Sequence, residues 1–258
     1  RGVITYEGGE YPMKDMYFPT ISPDDPLRLT EEEQDIINSL VRSFRISERL
    51  QRHMQCLLTH GGMFTVCNSN LLFHASLPLN NDGTLREVEV MGMNCKGKEL
   101  MLRIEQLVRL AYEEGADEDE KLYARDYFWY LWCGPNSPLF DKSKMTTFER
   151  YFIDDKSTHS EEKGAYYNLR NEATICDKIL DEFSVVGKHR HIINGHVPVK
   201  VGKGENPIKA DGRLMVIDGG FARAYHSTTG IAGYTLVYHS RGFQLVQHAP
   251  FNSTEEAV

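Results

Sequence analysis

Apolar residues recur at helical spacing early in the chain, at Ile37, Leu40, Val41, Phe44, Leu50, Met54, Leu57 and Leu58, the rhythm of one buried helix face. Thr30-Glu31-Glu32-Glu33 forms a capping box before them and Gly61-Gly62 a stop after them, so the pattern predicts one long helix. Beyond it the period falls to two. Residues 63–67, a tight Asn68-Ser69-Asn70 turn and residues 71–77 predict a β-hairpin. Alternation in its second strand puts Leu72, His74 and Ser76 on one face and Leu71, Phe73, Ala75 and Leu77 on the other. Residues 86–90 alternate like a partly exposed strand. Leu100, Ile104, Leu107, Val108 and Ala111 predict a helix over 98–114, closed by Gly115. A third helix carries Leu122, Tyr123, Tyr127, Tyr130 and Leu131 up to the breaker Trp132-Cys133-Gly134-Pro135. Its aromatic residues read either as a substrate wall or as aromatic core.

In the second half, residues 140–152 read as a loop and short helix, and 154–164 as a solvated polar stretch. The stripe Ile175, Ile179, Leu180 and Phe183 predicts a helix over 171–183. A short β-branched run, His191-Ile192-Ile193-Asn194, then ends on Gly195-His196-Val197-Pro198, and further strands are expected near 213–217, 231–239 and 243–248. Residues 1–29, punctuated by Gly8-Gly9, Pro12, Pro19, Pro23 and Pro26, predict an irregular connecting segment ahead of a domain over 30–258. Helices interleaved with strands, followed by a run of strands, predict an α/β domain with a mixed sheet.

The 258 residues carry a formal charge of −8 and no basic run of five, which argues against general nucleic-acid binding. Phosphorylated small molecules need only a local cationic pocket and stay open. Cys56, Cys67, Cys95, Cys133 and Cys176 are scattered, with no C-x-x-C pair, so neither a disulfide framework nor a zinc knuckle is supported, and a reducing cytoplasm is expected. No apolar run is long enough to span a bilayer. The first candidate for chemistry is His196, delivered by a buried strand into a loop, with Gly195 leaving room beside the backbone. The alternative reading is a histidine satisfied by a loop hydrogen bond. His74, near its strand's end, is the second candidate, with core filling as its alternative.

The runs Tyr127-Phe128-Trp129-Tyr130-Leu131-Trp132-Cys133-Gly134-Pro135 and Ile192-Ile193-Asn194-Gly195-His196-Val197-Pro198, with residues 144–152 and 229–236, resemble the class III fructose-1,6-bisphosphatases of bacteria, a branch of the calcineurin-like metallophosphoesterases. The likeness runs almost end to end. It implies the C-terminal portion of a β-sandwich flanked by helices, with a mixed sheet, and a manganese-dependent phosphatase acting on fructose 1,6-bisphosphate in gluconeogenesis. Two divalent ions can clamp a phosphate and activate a bridging water, and neutral imidazoles are suitable ligands beside carboxylates. On that resemblance His74 and His196 are metal ligands, and Lys142, Lys144, Arg150, Lys200 and Lys203 are candidates for holding the sugar phosphates. The superfamily's G-D-x-H, G-D-x-x-D-R and G-N-H-E/D motifs are not found in this sequence. The catalytic histidine and bridging aspartate are therefore expected upstream, in an N-terminal half that this chain needs as a partner, and the chain alone is expected to be inactive. A homo-oligomer is left open. Two other readings remain: a phosphatase of the same fold acting on a phosphoprotein or dinucleoside polyphosphate, and a non-catalytic interaction module.

Overall fold

The segment expected to be irregular opens with a hairpin. In the computed structural model, which describes residues 2–249 and 253–257, β1 (Val3–Tyr6) pairs antiparallel with β2 (Gly9–Pro12). The turn residues Glu7 and Gly8 both have left-handed φ, 48° and 80°, the two-residue geometry that suits the twist of a hairpin. Strands of four residues beside Gly and Pro leave too little alternation to be read from sequence.

Thr30 caps the next helix as predicted. Its hydroxyl accepts the Glu33 N–H at 3.2 Å, and Glu33 Oε2 accepts the Thr30 N–H at 2.8 Å. The helix does not run unbroken to Gly61, however: α1 covers Glu31–Ile46 and α2 covers Glu48–His60. The break falls at Ser47, whose backbone is extended and whose Oγ accepts the Leu50 N–H at 3.3 Å. Serine offers a second N-cap in mid-pattern, and that local bond competes with an uninterrupted helix.

From Met63 onward the chain forms β3 (Phe64–Cys67), β4 (Asn70–Phe73), β5 (Val88–Val90), β6 (Met93–Cys95), α3 (Gly97–Leu110) and α4 (Glu118–Cys133). Next come α5 (Thr147–Phe152), α6 (Ala165–Leu169), α7 (Ala173–Glu182), β7 (His191–Asn194), β8 (Ile208–Lys209), β9 (Leu214–Val216), α8 (His226–Thr229), β10 (Tyr234–His239), β11 (Gly242–Gln247) and α9 (Thr254–Ala257). One compact unit comprises Arg1–Gly62 and Met145–Glu161; the other comprises Met63–Lys144 and Glu162–Val258.

The larger unit holds a five-stranded mixed sheet in the order β3-β4-β7-β9-β8. β3/β4 and β8/β9 are antiparallel, while β4, β7 and β9 run parallel. Its core joins Leu71, Ile192, Leu214 and Val216, all 0% exposed, to Ile175, Ile179 and Leu180 of α7 and to Tyr166 of α6. Each fully buried aliphatic side chain is worth roughly 1.5–3 kcal/mol, so the parallel trio is firmly held. A second cluster packs Leu100, Ile104 and Leu107 of α3 against Ala124, Tyr127 and Leu131 of α4, largely the inward stripes the spacing predicts.

Candidate functional site

Because β4, β7 and β9 are parallel neighbours, their C-terminal ends open on one edge of the sheet, where open α/β sheets present ligand sites. His74 follows β4 immediately, His196 stands two residues past β7, and Asp218 stands two residues past β9. The register pairs Leu72 with Ile193 and Asn194 with Val216, which brings His74 and His196 into contact and Asp218 beside Gly195. His74 Nε2 lies 3.2 Å from His196 Nδ1, with the rings edge to face at 5.0 Å between centroids.

Backbone bonds continue past the strand ends and pin the loops. Gly195 N–H donates to the His74 carbonyl at 2.9 Å, Ile217 N–H to the Asn194 carbonyl at 2.9 Å, and Val199 N–H to the Asp218 carbonyl at 2.8 Å. The buried Asn194 amide donates to the Ala75 carbonyl at 3.0 Å and to the Tyr166 hydroxyl at 2.7 Å, fixing the segment just after His74. The unusual backbone belongs to His196 itself. Its φ is +64°, and Val197 N–H closes on the Gly195 carbonyl at 2.8 Å, a three-residue turn of the rare, strained hand. Gly195 is not the residue that needs freedom: a Cβ there would meet Asp218 Cβ at 3.5 Å and the His74 carbonyl at 3.7 Å, both ordinary contacts.

Asp218 carried no assigned role in the sequence reading, although it opens the Asp218-Gly219-Gly220 run. Its Oδ1 accepts the Gly220 N–H at 2.9 Å. The loop is held close to Gly233, since a Cβ on Gly219 would lie 2.6 Å from Gly233 Cα. The missed signal is positional, a carboxylate two residues past an apolar strand, as His196 stands two residues past β7.

Burial pushes the His74 imidazole below the ordinary histidine range, opposed by the Asp218 charge. His196 is lowered to about 4, first by burial, then by His74 and Lys142, again against Asp218. Both shifts favour the neutral imidazole, which offers a lone pair. Two nitrogens each about 2.1 Å from one divalent ion, at angles between a right angle and tetrahedral, lie about 3.0–3.4 Å apart. The observed 3.2 Å separation fits a shared ion as well as it fits a hydrogen bond. The set is incomplete, because among the described residues no three His, Cys, Asp or Glu side chains gather to hold a metal ion.

The five cationic candidates part company. Lys142 is half-buried, with Nζ 5.3 Å from the Phe140 ring centroid, and its charge bears on His196. Lys200 is also half-buried and follows His196 in the same loop, where its N–H donates to Glu205 Oε2 at 3.0 Å. Lys203 is exposed at the end of a single 3-10 turn. Lys144 closes the Met63–Lys144 segment of the larger unit. Arg150 belongs to the other unit, where Nε donates to Thr146 Oγ1 at 2.9 Å and Nη2 to the His159 carbonyl at 3.1 Å; these bonds tie α5 to the following turn. In the aromatic helix Tyr127 is core, while Tyr123, Tyr127 and Tyr130, with Val88, Glu89 and Asp126, line an open depression of about 370 Å³. No helix among the described residues is long and apolar enough to cross a membrane.

A family model described as Firmicute fructose-1,6-bisphosphatase matches residues 1–258. The chain is similar over its whole length to proteins named Fructose-1,6-bisphosphatase class 3: 62% identical to that of Bacteroides fragilis, 60% to that of Parabacteroides distasonis and 53% to that of Listeria innocua. It covers 39% of the first two proteins and 40% of the third, so the chain spans about two fifths of the length of the curated relatives it matches. No solved structure matches it.

Proposed function

The chain belongs to the Firmicute fructose-1,6-bisphosphatase family, and we propose from that premise that the bacterial protein containing it is a cytoplasmic phosphoric monoester hydrolase. Its reaction would convert fructose 1,6-bisphosphate to fructose 6-phosphate and phosphate, a step of gluconeogenesis. The observation that carries this reading is the meeting of two neutral imidazoles, His74 and His196, at the ends of adjacent parallel strands.

In this reading His74 and His196 hold one divalent ion, manganese, of a two-metal site. Such ions, when bound, polarise the phosphoryl oxygens and lower the pKa of a bridging water. The chain's own residues prepare that site. The strained turn at His196 aims its ring at His74. The Asn194 amide fixes the strand end beneath. Lys142, whose charge already bears on His196, draws a phosphate toward the pair. The remaining ligands, the bridging aspartate and the catalytic histidine come from the three fifths of the relatives' length outside this chain. That part also supplies the second layer of a calcineurin-like sandwich, against which the five-stranded sheet packs.

The test uses the full-length protein and phosphate release from fructose 1,6-bisphosphate at limiting manganese. His74→Ala and His196→Ala are each expected to lower turnover at least a hundredfold, in line with the removal of a metal ligand, with the circular dichroism spectrum unchanged. Near-normal turnover in either variant would remove that residue from the site. Faster hydrolysis of a phosphoprotein or a dinucleoside polyphosphate by the wild type would overturn the substrate assignment.

A further inference from the structure

Arg170 is the most tightly enclosed cation of the larger unit. It caps the C-terminal end of α6 and is only 7% exposed, yet neither Nε nor Nη1 meets a hydrogen-bond acceptor among the described residues. What the guanidinium does meet is aromatic, the Tyr167 ring at 5.1 Å and the Tyr166 ring at 6.0 Å. Cation–π attraction offsets only part of the cost of burying an ion without a partner. The arrangement is therefore unfavourable by itself, and acceptor oxygens would correct it.

Its neighbours make the imbalance larger. Lys163 Nζ lies 5.8 Å from the Tyr167 ring centroid. The charges of Arg170, Lys200 and Lys142 all bear on Lys163, and that of Arg170 bears on Lys209. Both ammonium groups are held below the usual lysine range, first by burial and then by these cations; Glu205 is the carboxylate that opposes the shift in each case. Glu205 Oε2 is already engaged by the Lys200 N–H. Residues 142 and 163 face each other in an isolated antiparallel bridge, so the convergence is built by backbone pairing as well as by side chains.

We infer that Arg170 and Lys163, which both lie against the Tyr167 ring, form a phosphate-monoester site, in which the unpartnered N–H groups of the buried guanidinium meet the oxygens of a dianion and the Lys163 ammonium completes the contact. Guanidinium and clustered lysines are the chemistry that recognises phosphate. Lys142 stands between this site and the imidazole pair: it faces Lys163 in the antiparallel bridge, and its Nζ lies 5.3 Å from the Phe140 ring, whose centroid is 6.3 Å from that of His196. On the bisphosphatase reading, on which this last step rests, one phosphoryl group reacts at the imidazoles while the other is held here. The same chemistry would accept the phosphate of a separate small molecule.

Two measurements test the site and its occupant. Thermal melting of full-length protein in EDTA is followed with inorganic phosphate against chloride at constant ionic strength. Phosphate is expected to raise the melting temperature of the wild type and to leave that of Arg170→Met unmoved. Methionine fills similar space without the unpaired charge, so the phosphate-free variant should melt at or above the wild type; a merely structural arginine would give a lower melting temperature instead. Should Arg170→Met fail to fold, Lys163→Gln carries the same readout, reducing the phosphate shift. Equal shifts in wild type and variants, or no shift in the wild type, would overturn the inference. The occupant is read from kinetics: a roughly tenfold rise in KM for fructose 1,6-bisphosphate in Lys163→Gln, with KM for p-nitrophenyl phosphate unchanged, assigns the site to the second phosphate of the substrate. Unchanged KM values beside a lost melting shift assign it to a separate phosphorylated ligand. Absence of turnover by the wild type would sink the bisphosphatase reading and leave the melting result standing.

Discussion

A histidine with φ of +64° is a costly residue, because an L side chain in the left-handed region gives up about 1–2 kcal/mol that glycine does not. That cost is tolerated where the ring is needed. In metal-free protein His196→Gly should therefore be about 1 kcal/mol more stable than His196→Ala, equivalent to a melting temperature about 2–4 °C higher, although both variants lose the imidazole. Equal melting temperatures would mean that the turn relaxes once the ring is gone. A second residue makes a prediction about pH. Asp141 is 2% exposed and accepts the Ser76 hydroxyl at 2.6 Å, and burial still holds its carboxyl above the usual range, against that bond and the Arg86 charge. A raised folded-state pKa means that the fold favours the protonated form. The contribution is full below the ordinary carboxylate pKa, near about 3.9, and is lost as pH rises through the raised value. Asp141→Asn can keep the Ser76 bond and does not titrate. Its urea midpoint relative to wild type should climb between pH 4 and 7; a constant difference across that range would show that Asp141 does not titrate as argued.

At the scale of elements, the β3/β4 hairpin is the support from which His74 is delivered, and its two-residue turn uses Asn68 and Ser69 at φ of 50° and 61°. Asparagine tolerates that region and serine does not, so Ser69→Gly gives the pair such turns favour. Relief of about 1–2 kcal/mol of strain outweighs the about 0.5–1 kcal/mol of extra chain entropy that glycine loses. The variant should be stabilised by up to about 1 kcal/mol in chemical denaturation, and a loss of stability would show that the Ser69 side chain matters more than its backbone. This hairpin was legible because alternation and an Asn-Ser-Asn turn coincide, although its second strand ends at Phe73 and does not reach residue 77, so His74 and Ser76 lie beyond it. So were α3 and α7, whose buried residues follow the apolar spacing; α4 forms where expected, but Leu122 and Tyr123 of its stripe are exposed and Ala124 is buried instead. The break at Ser47 and the first hairpin were not, since capping by one hydroxyl leaves no periodic trace and the first hairpin lies in a stretch dominated by Gly and Pro. The site divides in the same way. His74 and His196 stand at the ends of hydrophobic runs and can be found there. Asp218 joins them only because β9 lies beside β7, and Arg170 matters only because its donors are buried without acceptors. Strand order and orphaned polar atoms are properties of the folded chain, and a lone sequence does not display them.

For the molecule as a whole, the informative feature is an apolar stripe that no described residue buries. α1 and α2 bury no residue, and Ile37, Leu40, Val41 and Phe44 are 45%, 52%, 45% and 65% exposed on successive turns of α1. Amphipathic helices of this length are marginal in water without a packed face, and contiguous apolar patches of this kind mark an interface. The relatives run to more than twice the length of this chain, and the same additional length that is proposed to complete the metal site is the occupant best suited to the stripe. Produced alone, the 258 residues should bind a hydrophobic dye and elute from a sizing column as a species larger than one chain. Replacing Leu40 and Phe44 together by Glu should restore a monomer with an unchanged circular dichroism spectrum. Joined to the rest of the relatives' length, the wild-type chain should elute normally and lose dye binding. The same preparation of the isolated chain should release no phosphate from fructose 1,6-bisphosphate with manganese, because two imidazoles without a bridging carboxylate hold a divalent ion weakly and cannot hold two. Robust turnover by a sample that mass spectrometry shows to contain only these residues would mean that the catalytic groups lie within them and that the stripe on α1 serves another partner.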